Sequence, residues 1–263
     1  MERRKRETSV PIHSSAVVDP RAELSEDVSV GPFSIIEAGV KIGPGTVVGP
    51  NVFIAKGTSI GRGCSICHGA VLGTDPQDLK YRGEQTTLEI GNHTVIREFA
   101  SLNRGTSARQ KTVVGSDCLI MTYAHIAHDC LIGNHVIIEN AVNLSGHVTV
   151  EDFAIIGGLV PVHQFVKIGQ HSFIGGGFRV VSKDVPPFIK AAGEPLRPVG
   201  LNFVGLRRRG FSSQTIGILK KAYRILFRSH LNTSQAISKD VEQTGEIRIL
   251  LEFIQNSQRG IIK

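Results

Sequence analysis

Hydrophobic residues recur along this chain at a fixed spacing of six. From Ile12 to Val180, every residue whose number divides by six is Ile, Leu or Val, except Asp78, Glu84 and Ala108. Helices repeat near 3.6 and half-buried strands at two, so neither element explains the pattern. A period of six predicts a parallel β-helix, in which short strands stack coil upon coil. The repeat reads aliphatic-x-x-x-small-x, with the aliphatic side chains pointing inward. The glycines that often follow (Gly31, Gly43, Gly49, Gly61, Gly115, Gly133, Gly157 and Gly169) are expected to permit sharp corners. Three hexads make one coil, so residues 18 apart should stack at the ~4.8 Å spacing of paired strands.

Two polar stretches, 74–87 (TDPQDLKYRGEQTT) and 104–112 (RGTSARQKT), interrupt the wall without disturbing the count of six. Polar loops on a rigid scaffold are where binding residues collect. The repeat ends at Asp184-Val185-Pro186-Pro187, a breaker. Beyond it, Ile216, Leu219, Tyr223, Leu226 and Phe227 fall at helical spacing, with Ser212 or Ser213 as N-cap. Ile247, Leu250, Leu251 and Ile254 mark another helix. The fold class predicted is therefore mainly β: a basic lead-in over 1–10, a parallel β-helix over 11–187 and a C-terminal helical domain over 188–263.

Composition narrows the picture. A chain of 263 residues with 29 glycines and no tryptophan suits a narrow solenoid core. A net charge of +7 points to an acidic partner, whether nucleic acid, a phosphorylated ligand or an acidic protein, or to a merely basic surface. Four cysteines do not make a disulfide framework. Cys64 and Cys67 form a CxxC, but Cys64 shares its place in the repeat with Val40, Val52, Thr58 and Ala70, so it is expected to be a small inward side chain. Nothing approaches the ~20 apolar residues of a membrane span, and the charged first ten residues lack a secretory core. The expectation is a reduced, cytoplasmic protein.

Numbering modulo 18 sorts the ten histidines. His125, His128, His147 and His163 give remainders 17, 2, 3 and 1, which predicts one edge of the solenoid. His93 also gives 3. Histidine titrates near neutrality and serves as a general base or a metal ligand. Asp129 could orient the His128 imidazole.

Several segments then resemble, in order, the acyl-carrier-protein-dependent UDP-N-acetylglucosamine O-acyltransferases of lipid A biosynthesis. They are PQDLKY (76–81), NRGT (103–106), YAHIAHDC (123–130), SGHVTVEDFAIIGG (145–158), VHQF (162–165), DVPP (184–187) and LNFVGLRRRGFS (201–212). The resemblance implies left-handed winding and a homotrimer. It also implies transfer of a fatty acyl group, usually 3-hydroxyacyl, from the carrier's phosphopantetheine thioester to the sugar 3-hydroxyl. No further cofactor and no metal are implied, and no nucleic-acid or integral membrane contact. By resemblance His128 is the general base, Asp129 its support, and the Gly146 N–H a donor to the tetrahedral oxyanion. Asp78, Lys80, His125, His147, His163 and Gln164 match residues holding the nucleotide sugar, and Asn202, Arg208 and Arg209 match those near its diphosphate. Gly176 matches a position that gauges acyl length. Lys220, Lys221, Arg224 and Arg228 offer the acidic carrier a basic helix.

The chain departs from the family at Asn103, where histidine is common, and at Phe178 and Arg179, where small residues are expected. One residue is also added before DVPP. Other readings are the same transfer to a 3-amino sugar, and an N-acyltransferase of the same pathway, which usually carries an added N-terminal domain; the short lead-in argues against the latter. A zinc enzyme of carbonic anhydrase type would use His125-x2-His128 as ligands. A purely structural solenoid predicts threonine ladders, which the sequence lacks.

Overall fold

The computed structural model describes residues 12–229 and 244–263; the basic lead-in expected over 1–10 lies outside the described residues. The chain divides into two compact units, one ending at Cys130 and one beginning at Leu131.

In the first unit, each coil supplies one short strand to each of three parallel sheets. One sheet contains Val17–Val18, Ile35–Ile36, Phe53–Ile54, Val71–Thr74, Ser101–Asn103 and His125–Ile126. The next runs from Glu23–Leu24 to Lys111–Val114, and the third from Ser29–Val30 to Leu119–Ile120. This is the parallel β-helix that the period of six predicts. Ile36, Ile54, Ile66, Leu72, Ile96, Leu102, Ile120 and Ile126 are all essentially fully buried, each contributing roughly 1.5–3 kcal/mol. Cys64 is buried as expected.

Register across the coils is less regular than the count of six. Phe53 faces Val71, 18 positions on, but Val71 faces Ser101 and Ser101 faces His125. The two polar loops thus add two hexads and then one, preserving the period of six while breaking that of 18. His93 is displaced accordingly. Its N–H donates to the Arg62 carbonyl at 2.8 Å, and its Nδ1 lies 3.6 Å from Asp117 Oδ1. Its remainder of 3 is a numerical coincidence.

The second unit continues the same scheme. Leu131–Ile132, Thr149–Val150 and Lys167–Ile168 pair in parallel, as do Ile137–Ile138, Ile155–Ile156 and Phe173–Ile174, and Asn143–Leu144 with Pro161–Val162. The strict count of six ends early. Val180 is 57% exposed, whereas Val181 is fully buried and bridges to Val162. The residue added before DVPP has moved the inward place by one. Ile189–Ala192 then adds a parallel strand beside Phe173–Ile174, and Arg197–Leu201 folds back antiparallel on it.

Among the described residues, three helices follow: α1 (Phe203–Arg208), α2 (Ser213–Arg228) and α3 (Gly245–Gln255). Ser212 caps α2, its Oγ accepting from the Thr215 N–H at 3.0 Å, an interaction of about 1 kcal/mol. The larger contribution is burial of Ile216, Leu219, Ala222, Tyr223 and Leu226. Thr244 caps α3, which buries Ile247, Leu250, Phe253 and Ile254.

The glycines do a different job from the one the sequence suggests. None of Gly31, Gly43, Gly49, Gly61, Gly133, Gly157 and Gly169 has positive φ. A Cβ at Gly31 would come within 2.7 Å of the Gly49 carbonyl carbon one coil away, and one at Gly157 within 2.3 Å of the Gly176 nitrogen. These glycines allow close approach between coils. The left-handed corners fall two residues later and are mostly held by other residues, including Phe99, Tyr123, Asp129, His147, Phe153 and His171, all near φ +60°. In the second unit, His135, Phe153, His171 and Phe188 occupy such corners and stack ring on ring, with centroids 4.6, 4.7 and 5.8 Å apart. The stacking offsets the conformational cost.

Candidate active site

His128 and Asp129 lie in the corner that follows the strand His125–Ile126. His128 Nδ1 lies 2.8 Å from Asp129 Oδ2, and both side chains are buried. The carboxylate is cradled by the second loop. Thr106 donates through its N–H to Oδ1 at 3.0 Å and through its hydroxyl to Oδ2 at 2.7 Å. The Arg109 N–H donates to Oδ1 at 3.2 Å, and Arg109 Nη1 reaches the Asp129 carbonyl at 3.0 Å. From beneath, Thr112 Oγ1 accepts from the Asp129 N–H at 2.9 Å. A carboxylate set among donors accepts, so His128 donates through Nδ1 and presents Nε2 as the basic nitrogen. Thr106, Arg109 and Thr112 are the residues that sequence reasoning missed. Their signal was present, because they occupy the second place where the count of six lapses.

His125 opens the strand His125–Ile126 and faces Ser101 of the neighbouring coil, its Nδ1 2.8 Å from Ser101 Oγ. Burial, with a smaller contribution from the nearby His128, pushes its pKa down and keeps the imidazole neutral. Asp78 and Lys80 stand on the first loop. Asp78 Oδ1 accepts from the Lys80 N–H at 2.9 Å, and the Lys80 side chain is exposed.

In the second unit, Gly146 is buried and its carbonyl accepts from the Phe165 N–H at 3.3 Å. His147 stacks on Phe165, with centroids 4.5 Å apart. His163 and Gln164 are exposed beside them in sequence, His163 being fixed by its N–H to Val181. Gly176 is exposed and packs closely on Gly157 and Gly158.

Asn202 is buried and its amide is held at both ends: Oδ1 accepts from the Gly205 N–H at 3.2 Å and Nδ2 donates to the His171 carbonyl at 3.0 Å. It caps α1 and pins it to the last coils. Arg208, in the last turn of α1, is exposed. Arg209 turns the other way and lays its guanidinium 5.1 Å over the Phe153 ring, where burial lowers its pKa. His171, in the same aromatic stack, is pushed down to about 4 by burial and, secondarily, by the Arg209 charge.

A coil of hexapeptide repeats that ends in a helical segment defines a class, the hexapeptide-repeat transferases. The model of bacterial transferase hexapeptides matches residues 21–56, 39–74 and 111–146. The model described as UDP N-acetylglucosamine O-acyltransferase, domain 2, matches 184–262. The acyl-[acyl-carrier-protein]–UDP-N-acetylglucosamine O-acyltransferase of Trichlorobacter lovleyi is 52% identical over 259 residues, covering 96% of this chain and 99% of that one. The UDP-N-acetylglucosamine acyltransferase structure from Bacteroides fragilis superposes with a TM-score of 0.94 at 43% identity, covering 95% and 99% of the two chains. The structure from Acinetobacter baumannii gives 0.91 at 43%, covering 96% and 99%. The chain belongs to the acyl-[acyl-carrier-protein]–UDP-N-acetylglucosamine O-acyltransferase family.

Proposed function

We propose that this protein moves a 3-hydroxy fatty acyl group from the phosphopantetheine thioester of acyl carrier protein to the 3-hydroxyl of UDP-N-acetylglucosamine, the first step of lipid A biosynthesis. The observation that carries the reading is the buried His128–Asp129 pair in the cradle of Thr106 and Arg109. A sugar hydroxyl is a weak nucleophile at neutral pH and needs a base as it meets the thioester carbonyl. His128 Nε2 takes that proton, and the Nδ1–Asp129 bond steadies the imidazolium that forms. The Gly146 N–H donates to the oxyanion. The proton then passes to the departing pantetheine thiolate, so the site ends as it began.

Lys80 and the exposed Arg208 supply charge for the nucleotide diphosphate, with His125, His147, His163, Gln164 and Asp78 holding the sugar. Asn202 acts by fixing α1, and Arg209 by bracing it against Phe153. The exposed side chains of Lys220, Lys221, Arg224 and Arg228 on α2 suit an acidic carrier. A homotrimer fits the first unit's outer faces. Val17, Ile35, Phe53 and Val71 point outward from one sheet and Val47, Val95 and Leu119 from another, whereas Glu23, Lys41, Glu89 and Lys111 line the third. Apolar stretches on two faces beside a charged third suit the packing of like prisms about a common axis. Action in the cytoplasm is part of this reading; among the described residues, no helix is long and apolar enough to cross a membrane.

The test is turnover with a panel of acyl-carrier thioesters against UDP-N-acetylglucosamine and its 3-amino analogue. Preference for the hydroxyl acceptor with 3-hydroxyacyl donors supports the reading. Exclusive use of the 3-amino sugar would replace it.

A further inference from the structure

The first loop, which carries Asp78 and Lys80, borders a cavity of about 440 Å³ lined in part by Lys56, Asp75, Tyr81, Glu84 and Arg104. Its bonds near the tip stay within the loop: Tyr81 Oη to the Glu84 carbonyl, the Tyr81 N–H to the Asp78 carbonyl, and the Arg82 N–H to Glu84 Oε2. Leu79 at the tip is 95% exposed. An exposed loop beside a cavity gains little from packing, so its placement depends on how its ends are held.

Both ends meet the same tripeptide. At the entrance, Asn103 Nδ2 donates to Thr74 Oγ1 at 2.9 Å and to the Asp75 carbonyl at 3.0 Å, and the Arg104 N–H donates to the Thr74 carbonyl at 3.1 Å. The Arg104 guanidinium is buried. It pairs through Nη2 with Asp75 Oδ1 and donates through Nη1 to the Lys56 carbonyl at 3.1 Å. At the exit, Thr86 Oγ1 donates to the Gly105 carbonyl at 2.6 Å, and the Gly105 N–H donates to the Thr87 carbonyl at 3.1 Å. The very next residue is Thr106, which holds Asp129.

We infer that Asn103-Arg104-Gly105-Thr106 is a clasp that sets the substrate loop and the His128–Asp129 pair in one frame, with Arg104 as the positioning residue for Asp78 and Lys80. The inference rests on the proposed role of that loop in holding the nucleotide sugar. It also gives Asn103 a purpose: its amide ties down the loop entrance. Asp129 keeps its own donors from Thr106 and Arg109, so loosening the Asp75–Arg104 bond should disturb substrate binding while leaving the base in place.

The experiment compares Arg104→Gln, Asp75→Asn, the double variant and Lys80→Ala in the full-length enzyme. It measures kcat, KM for the nucleotide sugar, and tryptic cleavage after Lys80 and Arg82. Arg104→Gln and Asp75→Asn should each raise KM roughly tenfold with kcat changed less than about threefold, and both should speed cleavage of the loop. The double variant should be no worse than the poorer single, because the two residues act through one bond. Asp75 is 63% exposed, so its variant remains informative if loss of buried Arg104 impairs folding. If Lys80→Ala raises KM but Asp75→Asn leaves both KM and cleavage unchanged, the clasp is wrong. If Lys80→Ala leaves KM unchanged, the loop's role in sugar binding fails instead, and the cleavage rates still decide whether Arg104 holds the loop.

Discussion

Asp129 Oδ2 receives both the Thr106 hydroxyl at 2.7 Å and His128 Nδ1 at 2.8 Å, so a loop residue 23 positions upstream fixes the acceptor that orients the imidazole. The consequence is tautomeric. An amide at 129 could turn its NH2 toward His128 and favour the wrong ring nitrogen. Asp129→Asn should lower kcat by about 10²–10⁴ with KM for the nucleotide sugar little changed. Steady-state kinetics on the folded variant check this; a kcat within twofold of wild type would show that the carboxylate does not steady the base.

Arg208 is exposed at the end of α1, whereas Arg209 is committed to the Phe153 ring. Arg208→Ala should raise KM for the nucleotide sugar about tenfold or more, the scale of a lost charge-assisted hydrogen bond. The rise should shrink for a nucleotide sugar with fewer phosphates. Equal KM values for wild type and variant would remove Arg208 from the diphosphate site.

Gly176 tolerates little beside it, since an added Cβ would lie 3.2 Å from both the nitrogen and the oxygen of Gly158. Gly176→Met should therefore push its side chain away from the coil and shift donor preference toward shorter acyl chains. A competition assay with mixed carrier thioesters reads this out. An unaltered chain profile would place the acyl groove elsewhere.

The C-terminal unit should be acid-sensitive through His171. Its pKa falls to about 4 in the fold against a usual 6.5, so between those values the unfolded chain binds the proton and the folded one does not. Stability from this site is present above about pH 6.5 and lost as pH falls toward 4. His171→Phe extends the ring stack without a titrating group. Its melting temperature should fall less than that of wild type between pH 7 and pH 4.5 in thermal scans; parallel losses would exonerate His171.

How much of this was legible in the sequence varies with its physical cause. Inward Ile and Leu positions follow from burial alone, so the coils could be counted from Ile36, Ile54 and Ile66. The register of 18 could not, because loop lengths of two hexads and one hexad leave the period of six intact while moving His93 beneath Asp117. The extra residue before DVPP was visible, but not that it would turn Val180 outward and Val181 in. Conformational freedom points glycine to the corners, yet it is needed where coils touch, and stacked rings hold many of the corners instead. His128 and Asp129 could be paired from their motif. Thr106, Arg109 and the Arg104–Asp75 pair could not, since these bonds join residues 20 to 29 positions apart across adjacent coils.

The most direct test of the whole account is the rate of acyl transfer from a 3-hydroxyacyl carrier thioester to UDP-N-acetylglucosamine by wild type and His128→Ala, measured side by side on samples with matching melting temperatures. The account predicts acylated nucleotide sugar formed in step with free carrier thiol by the wild type. It predicts a loss of about 10²–10⁴ in kcat for the variant. Turnover by His128→Ala within a few-fold of wild type, or no transfer by wild type at all, would contradict it.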